Sequence, residues 1–122
     1  MRPARCHIAC LIACALVAGL AAGSRAADRF LSAIDDLPLM APLEEIADSA
    51  IVYSKPQGRI VEVSARGRAS SEAVLAFYAD TLPQLGWQAA ADRVWQRGRE
   101  RLTLSFQNGP GGLIVQFSLA PL

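Results

Sequence analysis

Only one stretch of this sequence carries an apolar repeat of helical period. In Ser70 to Trp87 (SSEAVLAFYADTLPQLGW), Val74, Leu75, Tyr78, Leu82 and Leu85 recur at three- and four-residue spacing, with Phe77 on the flank. Ser70 or Ser71 supplies an N-cap, and Glu72 puts a negative charge in the first turn, where the helix dipole favours it. Pro83 lacks a backbone donor and ends the regular helix near Thr81; Gly86 is a good C-terminal stop. A lone helix with one apolar stripe must bury it against something else, and the remaining sequence decides what.

That remainder alternates with period two. Ala50 to Lys55 is rich in β-branched and aromatic residues, Pro56-Gln57-Gly58 is a turn, and Arg59 to Ala65 returns with Val61 and Val63 opposite Glu62 and Ser64. After the helix, Gln88 to Gln96 is the weakest strand, with a turn at Ala91-Asp92 able to split it. Arg97 to Glu100 is a turn. Arg101 to Gln107 then places Leu102, Leu104 and Phe106 on one side. Asn108 to Gly112 is a further turn, and Leu113 to Leu119 sets Leu113, Val115, Phe117 and Leu119 inward. The order β-β-α-β-β-β with short hairpin loops predicts an α+β domain over residues 49–122. It is a mostly antiparallel sheet of about five strands with one helix on one face.

Ahead of this domain runs an arm, residues 27–48. Asp28 to Ile34 reads as a short helix, and a helical turn is expected at Leu43 to Ala47. Between them Pro38 and Pro42 push Leu37 and Ala41 toward extended backbone. Leu37, Leu39, Met40 and Leu43 are too apolar for a solvated linker. They either strap the arm to the body or dock it onto another protein, and so they are candidate binding residues.

Residues 1–26 read as a secretory signal peptide. Arg2 and Arg5 precede an apolar run from Ile8 to about Gly23, and Ser24-Arg25-Ala26 offers small residues for cleavage before Ala27. The run is short of the roughly 20 residues a spanning helix needs. The expected location is the periplasm, with no stable membrane span after cleavage. The alternatives are a retained anchor and lipidation at Cys14. The leader takes with it Cys6, Cys10, Cys14 and His7, the chain's three cysteines and only histidine. The remaining chain has no disulfide, thiol nucleophile or imidazole, so its core must hold by packing alone.

Charge is unevenly placed. Residues 27–48 set six acids against Arg29, while residues 49–122 set Lys55 and seven arginines against five acids. The pairs Asp35-Asp36 and Glu44-Glu45 lack the alternating spacing and glycine of a calcium loop. A serine nucleophile would have only Lys55 or an acid as its base. No enzymatic activity and no cofactor are expected. The alternation also leaves one sheet face polar, with Glu62, Ser64, Arg66, Arg101, Thr103, Ser105, Gln107, Gln116 and Ser118 on it. Arg93, Trp95 and Arg97 are expected on the same side. Guanidinium groups and an aromatic ring make Trp95, Arg97 and Arg101 candidates for binding peptide, glycan or an anionic chain. Nucleic acid is not expected, since no recognition motif accompanies the arginines.

Three phrases taken together, Asp36-Leu37-Pro38-Leu39-Met40, the GRIVE of Gly58 to Glu62, and Phe77-Tyr78 followed by Leu82-Pro83-Gln84-Leu85-Gly86-Trp87, resemble an uncharacterised family of small exported proteins of Gram-negative bacteria. The resemblance spans most of the chain after the leader. It implies an envelope setting and carries over no functional residues. The expectation is a non-enzymatic periplasmic interaction protein, with another envelope protein as partner. A small ligand-binding module with a pocket between helix and arm is the alternative, as is a carboxylate- or metal-dependent envelope enzyme.

Overall fold

The computed structural model describes residues 29–122; the leader, with its cleavage or lipidation, lies outside the described residues. The helical repeat forms α1, Ser71–Thr81, and Ser70 caps it, its Oγ accepting from the Ala73 N–H at 3.1 Å. Beyond Thr81 the chain tightens into a 3₁₀ helix, Leu82–Leu85, with Pro83 in its first turn. Gly86 closes it at φ 90°, a left-handed conformation that glycine adopts without strain.

Nine strands accompany this helix among the described residues. Before it come β1 (Phe30–Leu31), β2 (Ile34–Pro38), β3 (Glu44–Glu45), β4 (Ile51–Lys55) and β5 (Gly58–Gly67). After it come β6 (Gln88–Ala91), β7 (Val94–Arg97), β8 (Glu100–Gly109) and β9 (Gly112–Pro121). All pairings are antiparallel. β1 and β2 form a small sheet of their own. The main sheet has seven strands in the order β3-β5-β9-β8-β7-β6, with β4 also paired to β5. From β5 the helix carries the chain to the far edge, and three hairpins return it to β9 beside β5. The class is α+β, as expected.

The strand count departs from the expected five for two reasons. The stretch Gln88 to Gln96 splits at Asp92-Arg93, with Arg93 in a left-handed conformation (φ 62°). The arm supplies the other three strands. The helix expected over Asp28 to Ile34 does not form within its described part, residues 29–34: Phe30–Leu31 pairs back onto Ile34–Pro38, which buries Leu31, Ile34 and Leu37 together. Nor is Leu43 to Ala47 a helical turn, because Glu44 and Glu45 pair with Arg66 and Ala65 of β5. In both places an exposed ladder partner outcompetes a helix too short to be stable alone.

One core results. Val61, Val63 and Ala65 of β5, Leu102 and Leu104 of β8, and Val115, Phe117 and Leu119 of β9 face Val74, Tyr78 and Leu82 of the helix. Leu31, Ile34, Leu37, Leu39 and Leu43 of the arm complete the same buried cluster. The strap reading of the arm therefore describes the fold. Gly67 lets it pass, since a Cβ there would come within 2.8 Å of the Pro42 carbonyl. No helix among the described residues is long and apolar enough to cross a membrane.

Tyr78 joins the two covering elements. Its hydroxyl donates to the Pro38 carbonyl at 2.8 Å and accepts from the Met40 N–H at 3.4 Å. Burial pushes the phenol well above its ordinary value, so it stays a neutral donor. Tyr78→Phe leaves both arm groups short of a partner and is expected to cost about 1–3 kcal/mol in denaturant unfolding. The sign with pH follows from the raised value. The unfolded phenol ionises near pH 10 and the folded one resists, so stability is complete below about pH 10 and falls above it. Tyr78→Phe should flatten that alkaline fall in urea melts.

Candidate binding surface

Helix and arm cover one face of the main sheet, and no described element covers the other. Register places the nine polar positions together on that open face. Glu62 lies opposite Ser118 and then Thr103; Ser64 opposite Gln116 and then Ser105; Arg66 opposite Ile114 and then Gln107. Arg101 lies there too, opposite Ala120 and Gln96.

Trp95 and Arg97 do not, which corrects the expectation. The hairpin through Gly98-Arg99 pairs Trp95 with Leu102 and Arg97 with Glu100, so both point to the covered side. Trp95 is buried. Arg97 clamps the interior: its guanidinium lies 4.4 Å from the centre of the Trp87 ring, donates to the Leu85 carbonyl at 3.1 Å, and pairs with Asp36 of the arm. That hydrogen bond is the main reason the Asp36 carboxyl sits below the ordinary carboxylate value. Arg93 caps the Phe106 ring at 5.0 Å. Of the arm candidates, Leu37, Leu39 and Leu43 are buried and Met40 packs against the same core. They hold the arm down and present no free docking face.

The seam expected to form a pocket, between helix and arm, is closed by Tyr78 and its two hydrogen bonds. A shallow groove of about 420 Å³ lies elsewhere, between α1 and the β6–β7 hairpin, with Leu75, Ala79, Ala89 and Trp95 in its walls. Among the described residues no three His, Cys, Asp or Glu side chains gather as a metal site would need.

The large exposed apolar side chains point to a place that sequence reading passed over. Ile51, Val52 and Tyr53 are consecutive on β4 and are 44%, 56% and 55% exposed. Tyr53 and Ile51 pair with Ile60 and Glu62 on the open face. Val52 pairs with Val61 and points to the covered side, beyond the reach of helix and arm. The signal was present: three apolar residues in a row cannot all face one core from a strand.

The backbone of β4 is equally open. Ser64 turns both its polar groups toward this edge, its carbonyl accepting from Ile46 N–H at 2.8 Å and its N–H donating to Ser49 Oγ at 3.1 Å. By the period-two alternation of an antiparallel ladder, Glu62, Ile60 and Gly58 do the same. Ile51, Tyr53 and Lys55 therefore spend their backbone groups on β5, while Val52 and Ser54 aim theirs outward. Between β3 and β4, residues 46–50 stand opposite only residues 63 and 64 of β5, and the Ser49 hydroxyl fills the interrupted rung. The opposite edge of the sheet is different. β6 has four residues, an irregularity between Ala89 and Ala91, and no large apolar side chain, which are the usual means of blunting an edge.

Comparison with known proteins returns no match: no protein-family model, no curated protein and no solved structure matches the chain.

Proline distinguishes the two sets of backbone groups. Val52→Pro removes only an outward N–H and should leave unfolding within about 1 kcal/mol of the parent. Tyr53→Pro removes a ladder bond to Ile60 and should cost about 1–3 kcal/mol. Parallel denaturant titrations check this; equal losses would mean that β4 has the opposite phase.

Proposed function

We propose that this chain is an exported, non-enzymatic interaction protein of the periplasm that engages its partner along β4 and the adjoining open face. The observation that carries this reading is the run Ile51-Val52-Tyr53, exposed on an edge strand whose Val52 and Ser54 backbone groups point away from the sheet. An unblocked apolar edge is the geometry that accepts a further strand, main-chain hydrogen bonds giving affinity and alternate side chains giving selectivity. Arg101, Arg66 and the hydroxyl and amide groups of the open face extend the same surface.

Several features favour binding over catalysis. Residues 15–122 contain neither cysteine nor histidine. Asp36, Glu45 and Glu100 are engaged by Arg97, Ser32 and Arg59 respectively, as fastenings of the fold. The leader's charge and apolar pattern supports export, and so does the resemblance to small exported proteins.

A photo-crosslinking residue at position 53, in cells, should give discrete adducts that Val52→Pro abolishes. The same residue at Ala76, on the exposed side of the helix, should give none. Adducts independent of position, or none at all, would overturn the reading. Mass analysis of the periplasmic fraction should find a chain beginning at Ala27; an intact N-terminus held in membranes would refute the location.

A further inference from the structure

We infer that β4 pairs with β4 of a second copy of this chain, antiparallel, about a two-fold axis through Val52. The inference rests on the reading of β4 as a binding edge and names what the edge binds.

Two constraints limit the ways such a strand can meet itself. A two-fold axis normal to the sheet keeps each face on its own side, so a residue can oppose only one of like face. Any residue opposite its own copy satisfies this; the register at the middle of the exposed run sets Val52 opposite the partner's Val52, and the one at the middle of β4 sets Tyr53 opposite the partner's Tyr53. The outward backbone groups belong to Val52 and Ser54. The first register makes the Val52 pair a hydrogen-bonded rung and sets Ser54 opposite the partner's Ala50.

Side chains separate the two. In the Val52 register, Ile51 meets the partner's Tyr53 on the open face, twice by symmetry, and the two Val52 side chains meet on the other. Each exposed apolar residue of β4 thus finds an apolar counterpart, and β-branched–aromatic pairs are among the favourable cross-strand combinations. The ends agree as well. Lys55 comes opposite the partner's Ser49, next to its Asp48, so each basic end lies beside an acidic one. Neither Asp48 nor Lys55 forms an ion pair among the described residues. In the Tyr53 register the two Tyr53 rings would meet at the centre, but Ile51 would face the partner's Lys55 and Val52 the partner's Ser54, four apolar-against-polar pairs around one aromatic pair. Of the two, the Val52 register sets every exposed apolar residue of β4 against an apolar one, and the product is one continuous sheet across two copies.

A five-residue seam is small beside the ~800 Å² per partner of a typical stable interface. The pair therefore exchanges reversibly with concentration.

Cysteine placement reads the register. In a full chain with Cys6, Cys10 and Cys14 changed to serine, Val52→Cys should form a disulfide dimer on mild oxidation. A hydrogen-bonded antiparallel rung sets Cα atoms about 5.5 Å apart, within disulfide range. Ser54→Cys places the thiols four residues apart along the seam, roughly 13 Å, and should not link. Sedimentation of the unmodified chain should show mass rising toward the dimer with concentration, and Val52→Pro should hold it at the monomer. Preferential linking through Tyr53→Cys or Ser54→Cys, or a monomer at every concentration, would overturn the inference. A monomer that still gives an adduct with a different protein from position 53 would sink self-pairing and leave the binding edge standing; no adduct of any kind would remove both.

Discussion

The architecture depends on a shortage of cover. An eleven-residue helix is about 16 Å long and about 10 Å across, whereas β5 to β6 spans four strand spacings, roughly 19 Å. One helix can shield about half of that width. The apolar positions of β5, β8 and β9 would otherwise face water, at about 1.5–3 kcal/mol for each large side chain left exposed. The arm supplies the rest of the layer, and for this reason Leu37 and Leu43 are as deeply buried as the core residues of the sheet, with Leu39 only a little less so. A segment that looks like a linker by its prolines behaves as a second covering element by its leucines.

Polar contacts fix where the arm lies. Tyr78 bonds the backbone on both sides of Leu39, Arg97 reaches Asp36, Arg29 donates to the Leu43 carbonyl at 2.9 Å, and Ser32 holds the Glu45 carboxylate through its N–H and hydroxyl. Most of these end on backbone groups that an arm lacking a full ladder leaves unpaired. Arg97 suits its place because a guanidinium can stack on Trp87 and still direct separate N–H groups at a carbonyl and a carboxylate, which an ammonium on a flexible stem does less well. The acidic arm and basic body meet in one ion pair among the described residues, Asp36 with Arg97. Both groups are partly exposed, so the pair aligns the arm more than it stabilises the fold. Its contribution is present above the ordinary carboxylate range and is lost as the pH falls through the depressed value.

Local chemistry made the helix and the long strands legible. Ser70, Pro83 and Gly86 act as their types dictate, and the alternation of Leu102, Leu104 and Phe106 against Thr103 and Ser105 settles which side is inward. The nine polar positions of the open face follow from the same rule. Trp95 and Arg97 were harder because Val94 to Arg97 has no clean alternation of its own. Their facing is set across the Gly98-Arg99 turn by Leu102, a partner in the next strand. The arm strands were hidden for a related reason: Phe30–Leu31 and Glu44–Glu45 are two residues each, below any periodic signal, and exist only because an edge is there to receive them. The strand order was beyond reach, since it depends on how far α1 carries the chain before β6 begins.

The exposed edge follows from the same geometry. β5 runs on past Val61, its last rung with Leu119 of β9, and the hairpin tip formed with β4 projects beyond the region that helix and arm cover. The interruption at residues 46–50 lets β3 end the arm against β5 while β4 follows that projection. Val52 consequently points to the covered side and still stands in water. Sequences that need only to terminate a sheet put charge, proline or short residues there, as β6 does with Gln88 and its alanines. Ile51, Val52 and Tyr53 are instead the residue types that fit a half-buried pleated surface, and each forfeits burial energy while it remains bare. The charged residues at this edge, Asp48 and Lys55, flank the apolar run and leave its middle open. Charge at both ends of an apolar run disfavours pairing out of register more than pairing in register, and the proposed role of β4 in binding rests on that difference from β6.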